Sequence, residues 1–192
     1  MNQTIESIQK RRSVRVYENR QVDQDELAMI IEAGRYAPSG GNHQTTHIIV
    51  IQNREIIDQL EEIAQQEFAK MEVSEGMYSG LIGTINQSKL GKLSFTYHAP
   101  TLILLANKKG YSNAIADCTC VLENMMIAAT SLDVATCYIN QLKWLNENQA
   151  MVDYLKTLGL NDNEIICNSL IAGYSTQAMN PLNRKGNLVT YL

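Results

Sequence analysis

Apolar positions along this chain repeat at two spacings, and the points where one spacing gives way to the other mark the borders of its elements. Residues 3–10 carry a short helical pattern. It runs into Lys10, Arg11, Arg12, Ser13, Val14, Arg15, Val16 and Tyr17, where β-branched residues favour extended backbone. Asp23 with Glu26 has the form of a capping box, and Leu27, Ile30, Ile31 and Gly34 then share a helical face until Pro38 ends it. Ser39, Gly40, Gly41 and Asn42 read as a loop. Residues 47–52 form an apolar run of strand length, and Asn53 is placed to cap a helix with Ile56, Ile57, Leu60, Ile63 and Ala64 on its inner face. That helix fades near Met71.

Beyond it, residues 72–95 break up into Gly, Ser and scattered apolar positions, the pattern of a mobile segment rather than a core element, and a lid on the substrate side is expected there. Pro100 precedes a second apolar strand over 101–106. Residues 114–132 predict a helix apolar on nearly every side, with Asp117, Glu123 and Asn124 as exceptions, and such a helix has to be buried. Strands over 134–139 and 165–172 follow, separated by a helix opened by Asn146 and closed by Gly159. No repeat or Pro-rich linker interrupts this alternation, so residues 1–192 are expected to form one layered domain of helices and strands. The stretch 175–192, with Pro181 and Gly186 and little periodicity, is expected to extend from that domain and wrap over something.

Composition narrows the function classes. A chain of 192 residues, 45% of them hydrophobic, fills one core, and a net charge of -4 argues against a general nucleic-acid or anionic-membrane surface. The N-terminus lacks the apolar run of a leader, and no stretch approaches the ~18 apolar residues of a membrane span, so a cytoplasmic protein is expected. Cys118, Cys120, Cys137 and Cys167 form no CxxC pair and are expected to be reduced, buried thiols.

In this acidic chain, Lys10, Arg11, Arg12 and Arg15 concentrate positive charge, and extended backbone would project Arg11, Ser13 and Arg15 from one side. Forked guanidinium donors and a hydroxyl suit a phosphate; the same cations would also suit a solvated helix end. In the 38–42 loop the glycines permit close backbone approach to a flat ligand, while Ser39 and Asn42 offer hydrogen bonds; alone it is also an ordinary turn.

Taken in order, Arg11-Arg12-Ser13-Val14-Arg15, Pro38-Ser39-Gly40-Gly41-Asn42-His43-Gln44, Ala99-Pro100 before an apolar strand, the apolar helix beginning Ala116-Asp117, Gly173-Tyr174 and Arg184 resemble the FMN-dependent nitroreductases over nearly the whole chain. The resemblance implies an α+β, three-layer fold: a central mixed, mainly antiparallel sheet flanked by helices, in an intertwined homodimer. It implies an oxidoreductase that binds FMN and uses NAD(P)H to reduce nitroaromatic, quinone or similar electron-poor small molecules by a ping-pong mechanism. Arg11, Arg12, Ser13 and Arg15 would meet the phosphate and flavin edge, joined by Arg184. Pro38, Ser39, Gly40 and Asn42 would come from the second subunit, and Cys137, Tyr138 and Ile139 would lie against the ring, with Asn140 as a polar contact. No catalytic side chain is implied, because the flavin carries the chemistry. A flavin-binding carrier or redox sensor without turnover is the alternative.

Three departures from the family pattern stand out. Gln44-Thr45-Thr46 replaces Gln-Pro-Trp, Leu132-Asp133-Val134 replaces Leu-Gly-Leu, and Leu182 replaces a Lys before Arg184, with Lys185 following it. His43 and His47 have the separation of two helical metal ligands but sit at a strand entry with no clear third ligand, so no metal is expected. Tyr78, Phe95 and Tyr97 are candidates either for stacking on a substrate or for the core.

Overall fold

The 102–106 run is apolar at every position because its strand is buried on both faces. The computed structural model describes residues 2–184 and 186–192. In β2 (Thr101–Lys108), Leu102, Leu104 and Ala106 enter one core while Ile103 and Leu105 enter another, so a two-residue alternation is hidden within a continuous apolar run. β1 (His47–Ile51) pairs with β2, β2 with β4 (Glu164–Gly173), and β4 with β3 (Ala135–Ile139), every pair antiparallel, in the order β1-β2-β4-β3. Leu105 faces Asn168 whereas Ala106 faces Ile166, which leaves Cys167 as the extra residue of a bulge. For that reason Ile166 and Leu170, although both even-numbered, lie in opposite cores.

Helices α3 (Arg54–Ala69), α4 (Ser79–Lys89) and α6 (Gln149–Thr157) cover one face of the sheet through Ile57, Leu60, Ile85, Met151 and Leu155. The other face is covered by α2 (Gln24–Arg35) and α5 (Ala114–Ser131), with α1 (Gln3–Lys10) lying along α5. These are the three layers of the expected α+β fold, and the parallel component of the sheet is a bridge between Ser13 and Thr136. Gly34 lets α2 approach α5: a Cβ there would stand 2.5 Å from the Met125 Cε. Among the described residues, no helix is long and apolar enough to cross a membrane.

The capping box at Asp23 is completed by a third residue. The Asp23 carboxylate accepts from the Asp25 and Glu26 N–H groups, while the Tyr174 hydroxyl accepts from the Asp23 N–H at 3.1 Å and donates to Glu26 at 2.5 Å. The end of β4 is thereby tied to the start of α2.

Two readings of the sequence are corrected. The 72–95 segment contains α4, and Ile85 and Phe95 are core residues. Thr84 and Ser88 hid the helix from the periodicity: each donates its hydroxyl to the carbonyl four residues back, at 3.0 and 2.8 Å, and so can occupy a buried face. The longest exposed run within it is 72–76. The α6 cap is Asn148, whose side chain accepts from the Met151 N–H; Asn146 instead bridges to the N–H and C=O of Ile166 on β4 at 2.9 and 2.8 Å.

Asp133 holds the position at which a helix commonly ends on glycine. It adopts φ 56°, and the neighbouring Val134 N–H closes onto the Ala129 carbonyl at 2.9 Å. Asp133→Gly is therefore expected to raise stability by about 1 kcal/mol by relieving left-handed strain. A urea midpoint that stays the same or falls would contradict this.

Candidate functional site

The basic N-terminal segment docks on the free edge of β3. The Val14 N–H donates to the Thr136 carbonyl at 2.9 Å, and the Val14 side chain is fully buried. Residues on either side of Val14 in an extended chain point the other way. Arg15, Ser13 and Arg11 gather near Cys137: burial pushes that thiol up, while the Arg15 charge, the Ser13 hydroxyl and the Arg11 charge draw it back. The Arg15 guanidinium lies 5.6 Å from the centre of the Tyr97 ring. Tyr17, whose phenol is raised chiefly by burial, donates its hydroxyl to the Val14 carbonyl at 2.7 Å and pins the segment from below.

Arg12 takes a different direction. Its Nε donates to the Asn180 carbonyl at 2.6 Å and its Nη1 to the Arg11 carbonyl, so this side chain binds the C-terminal stretch rather than joining Arg11, Ser13 and Arg15. That contact brings the two ends of the chain together. Burial, then the charges of Arg184 and Arg11, lower the Arg12 guanidinium from its ordinary value, and Arg11 and Arg184 line one cavity of about 560 Å³ with Glu123. Glu123 is 3.4 Å from the Arg11 Nε, longer than a good charge-assisted hydrogen bond. Lys185, the other basic residue noted here, lies outside the described residues.

On β3, Cys137 and Ile139 are buried toward the α3 side, whereas Tyr138 points to the opposite face with its hydroxyl 2.9 Å from Asn168. Asn140 lies past the strand end, its N–H donating to Gln141 Oε1 at 3.1 Å.

The 38–44 loop is built by a buried carboxylate that the sequence marked as an exception in an apolar helix and as part of the family resemblance, with no role attached. Asp117, 4% exposed in the first turn of α5, accepts from the Gly40 N–H at 3.0 Å and the Tyr111 hydroxyl at 3.1 Å. Helix N-termini favour such a charge. The close approach at Gly40 is made to the loop's own support, since a Cβ would lie 2.1 Å from Asn113 Nδ2 and 2.8 Å from the Tyr111 hydroxyl. Gly41, Asn42 and Gln44 are all left-handed, and the Gln44 N–H donates to Ser39 Oγ at 3.0 Å. Pro38, Ser39 and Asn42 line a separate cavity of about 470 Å³ that shares no residue with the arginine cavity.

The remaining candidates resolve individually. His43 stacks on Tyr111 with centroids 5.8 Å apart, and His47 Nδ1 is 2.9 Å from Glu164, so the two histidines serve different partners. Cys118, Cys137 and Cys167 are buried as expected; Cys120 is exposed, because residues two apart on α5 face different ways. Phe95 is core, Tyr97 is half-buried, and Tyr78 is exposed at its edge-on contact with Trp144.

The profile of the Nitroreductase family matches residues 8–174. This chain belongs to the nitroreductase family. Within it, a nitroreductase with bound FMN from Bacteroides fragilis is similar over 100% of both chains, with 34% identity and a TM-score of 0.84. A nitroreductase with bound FMN from Desulfitobacterium hafniense is similar over 100% of this chain and 99% of its own, with 25% identity and a TM-score of 0.85. A protein of Archaeoglobus fulgidus, provisionally named an NADH dehydrogenase/NAD(P)H nitroreductase, is 26% identical over 91% of this chain and 86% of its own.

Where this nitroreductase-family chain departs from the family pattern at 45–46, Thr46 Oγ1 lies 3.7 Å from the Cys118 sulfur, and Thr45 Oγ1 is buried with no partner among the described residues. Replacement of Asp117 by Ala leaves the Gly40 N–H without its acceptor and the Tyr111 hydroxyl with the Gly40 carbonyl at 3.3 Å, at a cost of about 1–3 kcal/mol. Amide exchange over 38–44 is expected to accelerate more than exchange elsewhere. Unchanged loop protection would show that Asp117 does not hold the loop.

Proposed function

We propose that this protein is an FMN-dependent oxidoreductase that takes electrons from NAD(P)H and passes them to an electron-poor small molecule. The observation that carries this reading is the crowding of like charge: Arg11, Arg12 and Arg184, from opposite ends of an acidic chain, lie within electrostatic reach of one another. Glu123, 3.4 Å from Arg11, offsets only part of this charge, and guanidinium forks with a nearby hydroxyl form a donor set that fits a phosphate. The names of the FMN-bound Bacteroides and Desulfitobacterium relatives and of the Archaeoglobus relative agree with this chemistry.

In this reading Arg11, Ser13 and Arg184 hold the phosphate, and Arg12 acts on it indirectly by fixing the carbonyl of Asn180. Arg15 places a fixed positive charge at the ring edge, where negative charge develops on reduction. The backbone of Cys137, Tyr138 and Ile139, with Asn140 after it, forms the wall against the ring. When bound by these residues, FMN would supply the hydride-transfer chemistry that links the nicotinamide to the acceptor. One open pocket receives donor and acceptor in turn, which gives ping-pong kinetics.

Pro38, Ser39 and Asn42 complete the pocket from a second copy of the chain, and Gly40 serves their anchoring. Their separation from the arginine cavity within one copy supports a homodimer. So do the exposed side chains of Leu182, Leu188, Val189, Tyr191 and Leu192 on the C-terminal stretch. The exposed run at 72–76, leading to Tyr78, lies on the side that admits the acceptor.

The purified protein is expected to be a yellow dimer whose flavin absorbance bleaches with NAD(P)H under anaerobic conditions and recovers on addition of a nitroarene or quinone. A colourless protein that takes up no FMN overturns the reading; a yellow one that never bleaches is a carrier. Substituting Arg11 and Arg184 together by Ala is expected to weaken FMN binding at least about 100-fold, given about 1.5–3 kcal/mol for each charged hydrogen bond. Circular dichroism should remain that of the folded wild type. Undiminished FMN affinity would remove the phosphate site from these residues.

A further inference from the structure

The segment just before β2 is strained at two successive positions. Tyr97 and His98 adopt φ 51° and 57°, left-handed conformations that L residues with a Cβ rarely take. The conformation persists because its flanks leave no alternative. Thr96 is fully buried, and its N–H donates to Glu61 Oε1 at 2.8 Å; the Ala99 N–H donates to the Thr96 carbonyl at 2.9 Å. Arg54 stands 3.8 Å from the Glu61 carboxylate. On the other flank, Pro100 packs so closely on Gly173 that a Cβ there would lie 2.6 Å from its Cδ.

What this strain produces is a ring in a particular place. The Tyr97 ring lies against the Arg15 guanidinium, 5.6 Å from ring centre to Cζ. Among the described residues, no carboxylate lies within ion-pair distance of Arg15. An arginine side chain without a partner samples many rotamers, and a charge that moves stabilises a fixed site poorly. The face of an aromatic ring attracts the cation without neutralising it, as a carboxylate would.

We propose that Tyr97 is a positioning residue: its left-handed backbone presents the ring that holds Arg15 in place, so that the Arg15 charge reaches the ring edge of the cofactor pocket ordered and unneutralised. This rests on the reading of Arg15 given under the proposed function. It adds a residue that makes no contact with the phosphate and acts through another side chain. The strained turn is then retained because of where it puts the ring, consistent with the tendency of such conformations to cluster at functional sites.

The test uses the FMN-loaded protein, with two readouts besides turnover: the FMN dissociation constant by fluorescence titration and the midpoint potential of the bound flavin. Tyr97→Phe retains the ring face and should keep both values. Tyr97→Leu and Tyr97→Asn should weaken FMN binding about three- to ten-fold, the range of a partly exposed cation–π contact, and lower the potential. Asn tolerates the left-handed region, so Y97N should lose only the packing of the ring and keep the circular dichroism of the folded wild type, which separates loss of the ring from loss of the fold. Arg15→Gln should shift both readouts in the same direction, and adding Y97L to R15Q should shift them no further. The proposal is overturned if Y97L and Y97N match the wild type while R15Q does not, or if the two substitutions add. An R15Q protein indistinguishable from wild type in both readouts would instead refute the placement of Arg15 itself, and with it this inference.

Discussion

One backbone hydrogen bond, from the Val14 N–H to the Thr136 carbonyl, anchors the basic N-terminal segment on the edge of β3. Burial of the Val14 side chain secures it, contributing about 1.5–3 kcal/mol. Once Val14 is turned inward, extended geometry turns its neighbours outward along β3. Arg12 then reaches Asn180 and draws in the C-terminal stretch that carries Arg184. A contact between an edge strand and a short extended segment thus gathers cations separated by more than half the chain.

The electrostatics follow from this gathering. Net charge describes the molecule at a distance, and this one is acidic. Close to the β3 edge the sign is reversed, and Glu123 offsets the arginines only loosely. A local positive site in an acidic protein favours a compact anion over a polyanion, because a small ligand meets only the nearby charges while a long one also meets the acidic surface.

The 38–44 loop shows the complementary strategy. Its conformation is set from beneath by Asp117 and Tyr111, which occupy the Gly40 backbone and leave Pro38, Ser39 and Asn42 on the lining of their own cavity. The loop and the arginine cluster line separate cavities, and the loop is held by α5 rather than by the arginines. Under the proposed function they would be two half-sites, each able to meet its complement across a symmetric interface without refolding. The exposed apolar side chains of the C-terminal stretch are what such an assembly would cover.

Much of this architecture was legible in the order of residues. The strands and most helices follow from period and caps, because a buried face has to be apolar wherever the chain runs. α4 escaped because Thr84 and Ser88 satisfy their hydroxyls on their own helix and so count as buried while reading as polar. The motif residues of the candidate site were visible, but their supports were not. Asp117 read as an interruption in an apolar helix and a piece of the family pattern without a partner, Tyr97 as one aromatic among several, and Arg12 as one more cation of the cradle. What the sequence determined by itself was which residues must be buried and which chemical groups were available. Which of those groups meet was decided only by the tertiary structure, because a hydrogen bond or a cation against a ring depends on angstrom distances between segments that chain order leaves far apart.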